Sequence, residues 1–423
     1  MHITIVALGS SGDVLPYATL GKALRVAGHE VRLAALKNFA PIATTRDLDF
    51  YPVRGDMAAI MNTQGGIALA EAGSDAIRMW IGILRSVGPM AQSFAKDLYA
   101  LAQHPTDLIL AQTPGALYAY DLAEKLDVPL VMAGVMPLTR TGAWPMIGFP
   151  PILRRPGYNR LTYRIAEQLV WHVYRSSVRR GRKKILELNP GSFWGHFGEV
   201  ERRAIPMLYG YSTHVVPRPD DWGEHVHVTG YWFPEDNEWQ PPPDLLRFLD
   251  PGPPPVFLGF GSMPVRNPQQ TTQLLLDAVQ QSGQRAILHA GWAGIGAQDL
   301  PETVFPIEYA PYDWLFPRLA AIVHHGGSGT TGAALRAGKP SILVPFLFDQ
   351  FFWGEHIARL GVGPDPLPFK ELSAERLAGA IHQAVTDREM QRRAAALGEQ
   401  VRAEDGIDRA VEWIVQYGTT RTH

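Results

Sequence analysis

Eight residues from His324 to Thr331, "HHGGSGTT", hold two histidines, three glycines, a serine and two threonines. The apolar "AAIV" before them suits a buried strand. "TTGAALRAG" suits a helix with Ser328 near its N-cap and Gly338 at its stop. Glycines at a strand-to-helix turn expose backbone N–H groups and the positive end of a helix dipole, which favour an anion by roughly 0.3 to 2 kcal/mol. A phosphate fits. Gly326, Gly327 and Gly329 admit it close to the backbone, Ser328 and Thr330 add hydroxyls, and a histidine can donate a ring N–H. A satisfied turn with no ligand is the competing reading. One strand and turn later, Asp349 and Gln350 follow "SILVPF", and an acceptor-rich acid beside a bifunctional amide suits sugar hydroxyls. Taken alone, Asp349 reads equally well as a helix N-cap. Together the two stretches suggest a nucleotide-sugar site.

Such a site needs a frame of parallel strands. Met1 to Val6 reads as a buried strand, "LPYATLGKALRVAG" as a helix stopped by Gly28, and "HEVRLAAL" as the next strand, a βαβ unit that "DLILAQTP" and "PLVMAGVMP" continue. The pattern restarts with "PPPVFLGFGSM", "QQTTQLLLDAVQQSG", "RAILHAG", "AAIVHHGGSG" and "SILVPF". The chain of 423 residues is therefore expected to form two facing Rossmann-like α/β lobes with parallel sheets and a cleft between them. Prolines and aspartates near 212–225 place the linker, giving an N-terminal lobe over 1–213 and a C-terminal lobe over 226–400. Residues 401–423, with Ile407, Ala410, Val411 and Ile414 on one helical face, are expected to pack back on the first lobe. A net formal charge of −2 gives no footprint for nucleic acid, and zero cysteines exclude disulfides and a thiol nucleophile. No cleavable leader or membrane-spanning apolar run is evident, so the expected compartment is the cytoplasm.

With "APYDWLFPR", "HHGGSGTTGAALRAGKP" and "PFLFDQFFWGEHIARLGVG", residues 309–361 resemble the donor-binding signature of UDP-glycosyltransferases, nearest to sterol 3-beta-glucosyltransferases and bacterial glycopeptide and natural-product glycosyltransferases. "GSSGDVLP" and "FLGFGSM" match in order, so the resemblance covers the whole chain. It implies the GT-B fold, an inverting transfer without metal or cofactor, and UDP-glucose as the expected co-substrate in the C-terminal lobe. Carried onto this sequence, it gives the pyrophosphate to His324, the turn Gly326 to Thr330 and Ser262, the base to Tyr309 and Ala310, and the sugar to Asp349 and Gln350. Ser11 and Gly12 border the donor from the first lobe; relatives often carry arginine where Ser11 stands. Asp13 becomes the general base on the acceptor hydroxyl, its plain alternative being the N-cap of a helix beginning near Leu15.

The expected acceptor is a hydrophobic alcohol such as a sterol, against Met57, Met61, Met79, Trp80, Met136 and Trp144; ordinary helix packing would explain the same residues. A polyketide, macrolide, flavonoid or glycopeptide acceptor with a UDP- or dTDP-sugar is the alternative. A basic amphipathic stretch over 160–187 suits a solvated helix face or peripheral contact with an anionic membrane. "DLD" at Asp47 to Asp49 reads as a surface turn and the histidine pair lacks further ligands, so no metal site is expected. A nicotinamide-dependent oxidoreductase would need a full G-x-G-x-x-G and an acid where Lys37 and Asn38 stand. A non-catalytic nucleotide-sugar-binding protein would keep Ser262, His324 and Gln350 without needing Asp13.

Overall fold

Strand β1 (His2–Val6) lies between β2 (Glu30–Leu36) and β4 (Leu108–Gln112), and the first sheet runs β3-β2-β1-β4-β5-β6-β7 with every pair parallel. Here β3 is Asp49–Val53, β5 Leu130–Gly134, β6 Met207–Tyr209 and β7 Val226–Val228. The second sheet, also parallel, runs β10-β9-β8-β11-β12: Val304–Ile307, Ala286–His289, Val256–Gly259, Ile322–His324 and Ser341–Leu343. The chain is described here from a computed structural model covering residues 1–70, 73, 82, 88–113, 115–150, 155–234, 238–291, 294, 296 and 299–421.

Apolar runs explain these sheets. Ile3, Ile5, Val6, Leu108, Ile109 and Leu110 are all buried, as strands covered on both faces require. In the first sheet the order turns back between β1 and β4; in the second, between β8 and β11. The loops leaving two such strands diverge to opposite faces and open a crevice at the strand ends. The loops carrying Asp13 and the histidine pair leave these switch points.

The first lobe extends further than the linker expected at 212–225 would allow. β7 hydrogen-bonds to β6, so the passage to the second lobe falls after residue 228. Strands of three or four residues give little period to read, and β6, β7 and β10 were not foreseen for that reason. The final helix, Gly406–Arg421, places buried Ala410 and Ile414 in the first lobe's core. Arg25 pairs with Asp47, and Arg32 holds Asp49 at 2.7 Å, so the "DLD" carboxylates serve surface ion pairs.

Candidate active site

Helix Ser11–Val26 begins directly after β1, four residues earlier than the sequence suggested, and its N-cap is Ser10. Asp13 sits in its first turn and reaches back. Its Oδ2 accepts hydrogen bonds from Ser10 N (2.8 Å) and Ser10 Oγ (2.9 Å), while Oδ1 accepts one from Gln112 Nε2 (2.9 Å). Gly9 permits this: its φ is +141°, and a Cβ there would lie 2.4 Å from Asp13 Oδ2. Oδ1 retains a lone pair for a hydroxyl proton. Burial raises the Asp13 carboxyl above its ordinary range, against the lowering effect of the bonds from Ser10 and Gln112.

Gln112 ends β4, beside β1, and its Oε1 accepts the Leu8 N–H at 2.8 Å. One amide therefore ties the β1 loop to the carboxylate. Its sequence signal was a lone polar residue closing the apolar run "LILAQ". Gln112→Leu is expected to lower kcat roughly 10- to 100-fold while leaving the donor KM nearly unchanged, on the scale of a lost hydrogen bond to a charged group. Because that bond favours the ionised form, the acid limb of the pH–rate profile should also move upward.

The histidine turn lies on the other lobe. His324 is fully buried at the end of β11, and its Nδ1 accepts the Gly326 N–H at 3.1 Å. The neutral ring therefore carries its proton on Nε2, a buried atom with no hydrogen-bond partner within the protein. Burial lowers the imidazole pKa to about 3, keeping the ring neutral near pH 7. An orphaned donor of this kind suits a phosphate oxygen. His325, held down to about 4 by burial, fills the space beside Gly327, where a Cβ would meet its Nε2 at 2.5 Å. Helix Ser328–Arg336 starts here; its first bond inward is Thr331 N to Gly327 O, so the N–H groups of Ser328, Gly329 and Thr330 precede the intrahelical ladder.

The Ser328 hydroxyl departs from expectation. Ser328 Oγ donates to Val135 O at 2.7 Å, across the cleft at the end of β5. The backbone N–H groups and His324 Nε2 are thus better placed as donors than the Ser328 hydroxyl. Gln350 also differs: its Oε1 accepts Phe346 N (2.8 Å) and Leu347 N (3.2 Å), and its Nε2 meets Met263 Sδ at 3.1 Å. These bonds shape the loop after β12. Asp349, the first residue of helix Asp349–Leu360, accepts Trp353 Nε1 at 3.2 Å. Burial first, and then the facing Asp13 charge, raise its pKa to about 7. Phe348 before it has φ +52°, a conformation costing on the order of 1–3 kcal/mol for a residue with a side chain.

Ala310 is buried and Tyr309 exposed just past β10; Ser262 is half-buried after β8, and Ser11 and Gly12 flank Asp13 at the cleft. The residues read as acceptor-binding are scattered. Met57 packs on the first lobe's core, Met136 and Trp144 join a cluster spanning both lobes, and Met61 lies with Leu69, Met146, Phe149 and Phe348. Met79 and Trp80 lie outside the described residues. Among the described residues no cluster of three or more His, Cys, Asp or Glu could hold a metal.

Two parallel-sheet lobes, with a carboxylate at one switch point and a glycine-rich turn at the other, make the GT-B fold. The fold is shared with the glycosyltransferase of kitacinnamycin (TM-score 0.69, 18% identity, 98% of each chain) and with glycosyltransferase VinC, solved in complex with dTDP (TM-score 0.64, 19% identity, 99% of this chain and 100% of that one). Residues 273–412 match the family model "Erythromycin biosynthesis protein CIII-like, C-terminal domain". A sterol 3-beta-glucosyltransferase of Arabidopsis thaliana is 36% identical over 97% of this chain and 67% of its own length; one from Cryptococcus neoformans is 35% identical over 98% of this chain and 27% of its own. The chain belongs to the sterol 3-beta-glucosyltransferase family. It spans about two thirds of the plant relatives' length and 27% of the fungal one's.

Proposed function

We propose that the protein transfers glucose from UDP-glucose to the hydroxyl of a sterol, with inversion and without a metal. The observation that carries the reading is the opposition of Asp13, on the first lobe, to Asp349 and the His324 turn on the second, close enough for the two carboxylates to influence each other. Asp13 Oδ1 takes the proton of the acceptor hydroxyl as its oxygen bonds to the anomeric carbon. The bond from that carbon to the β-phosphate oxygen breaks, and its electron pair leaves with UDP. His324 Nε2–H and the first-turn N–H groups of helix Ser328–Arg336 stabilise the departing charge. Asp349 accepts hydrogen bonds from the sugar hydroxyls, Gln350 holds the loop that carries it, and the base lies by Tyr309 and Ala310.

Family membership at 35–36% identity supports the sterol and the glucose. The test measures UDP release and product mass with UDP-glucose and a sterol, against dTDP-sugars and polyketide or flavonoid alcohols. Sterol-dependent UDP release with one hexose added to the sterol is expected. Turnover confined to a dTDP-sugar and a non-sterol alcohol would overturn the reading.

A further inference from the structure

A long helix, Pro156–Lys184, carries eight Arg and Lys and one Glu, a local net charge of +7 in a chain whose formal charge is −2. Arg182 is consumed inside the protein by Asp121 and Glu124, and Arg160 pairs with Asp221 at 2.9 Å. At about 100° per residue, Leu161, Ile165, His172, Arg175, Arg179 and Lys183 share one face. Leu161 is 51% exposed and Ile165 41%.

The loop beside this face carries two more apolar side chains, Phe193 (56% exposed) and Trp194 (67%). Of the eight large apolar residues exposed among the described ones, five lie between 161 and 194, the fifth being Ile185. Scattered exposed apolar residues are ordinary; this concentration is not. The loop is also held from below. Trp171 Nε1 donates to Phe193 O at 2.6 Å, Gln168 Nε2 to Trp194 O at 3.0 Å, and the Arg175 guanidinium stands 4.5 Å over the Phe193 ring. Side chains of the helix, the buried Trp171 among them, thus hold the backbone of two aromatic residues that face water.

From this surface we infer that the helix Pro156–Lys184 and the Phe193–Trp194 loop dock the protein on an anionic phospholipid bilayer. Aromatic rings settle at the boundary between headgroup and acyl chain, and Arg and Lys meet anionic headgroups. A preset loop loses little freedom on insertion. No helix among the described residues is long and apolar enough to cross a membrane, so the contact is peripheral. The neighbouring side of the same helix supplies Ala166, Leu169 and Val170 to the apolar cluster that reaches Phe348, next to Asp349. An acceptor dissolved in the bilayer would meet the enzyme on the flank that leads to its cleft; this last step rests on the sterol reading, whereas docking does not.

The test sediments the full chain with phosphatidylcholine vesicles containing or lacking phosphatidylserine, and compares wild type with Phe193→Ser/Trp194→Ser and with Arg175→Gln/Arg179→Gln/Lys183→Gln. Wild type is expected to bind the phosphatidylserine vesicles, less as salt rises. The aromatic pair should weaken binding roughly 10- to 100-fold, and the cation triple should remove most of the preference for phosphatidylserine, at roughly fivefold per residue. Unchanged melting temperatures would assign these losses to the surface. Wild type that ignores the vesicles, an aromatic pair that binds like wild type, or a pair whose only effect is to dissociate a dimer would overturn docking. With sterol supplied in vesicles, the pair should turn over more slowly; with sterol in cyclodextrin, it should match wild type. Vesicle binding by a wild type that glucosylates sterol from neither source would sustain docking and overturn the sterol reading.

Discussion

Asp13→Asn is expected to lower kcat by roughly 10²- to 10⁴-fold, the usual contribution of a positioned general base. Asparagine keeps the size of the side chain but cannot take the acceptor's proton, and its amide nitrogen cannot accept both of Ser10's hydrogen bonds. The first turn of helix Ser11–Val26 should nevertheless persist, since the backbone bond from Asp13 N–H to Ser10 O and the buried Val14 and Tyr17 behind it are untouched by the substitution. The informative measurement pairs single-turnover kinetics with calorimetric UDP binding. Turnover should collapse while UDP binds with its wild-type affinity, because the proposed donor contacts lie on the other lobe. Parallel loss of both would mean that Asp13 organises the cleft rather than moving a proton.

Asp349→Asn is expected to lower kcat/KM roughly 10- to 150-fold, the scale of one charged hydrogen bond lost to a sugar hydroxyl, and at the same time to stabilise the ligand-free protein above neutral pH. The sign follows from its pKa of about 7, raised by burial and by Asp13. The folded protein holds this proton more tightly than the unfolded chain, whose Asp titrates near 3.9, so the group favours folding most fully below about pH 4. That contribution declines as pH rises and is gone above about 7. Asparagine carries no such titration. The melting temperature of the variant should therefore match wild type near pH 4 and exceed it at pH 8. Asp13 already carries its charge when Asp349 gives up its proton, so the acid limb that Asp13 sets should stay in place in the variant. A limb that moves downward would mean that Asp349 is charged while Asp13 titrates.

The parallel strands were legible because buried strands with both faces covered read as unbroken apolar runs between glycine turns, as in β1, β4, β8 and β11. The histidine turn and the Asp349 pair were legible because their residue types are odd at strand ends. What escaped is non-local. Gln112 meets Asp13 across 99 positions, and Ser328 meets Val135 across 193, distances at which one sequence holds no pairing signal. The inward turn of Gln350 depends on a loop whose shape includes the positive φ of Phe348, which no pattern in "PFLFDQ" announces. The acceptor side was least legible, since methionines and aromatics serve packing and binding alike.

The Ser328 hydroxyl has one proton to give, and at present it gives it to Val135 on the opposite lobe. In the proposed donor site a phosphate oxygen arriving at the turn would compete for that same proton, so that loading the nucleotide would exchange a bond between the lobes for one to the ligand.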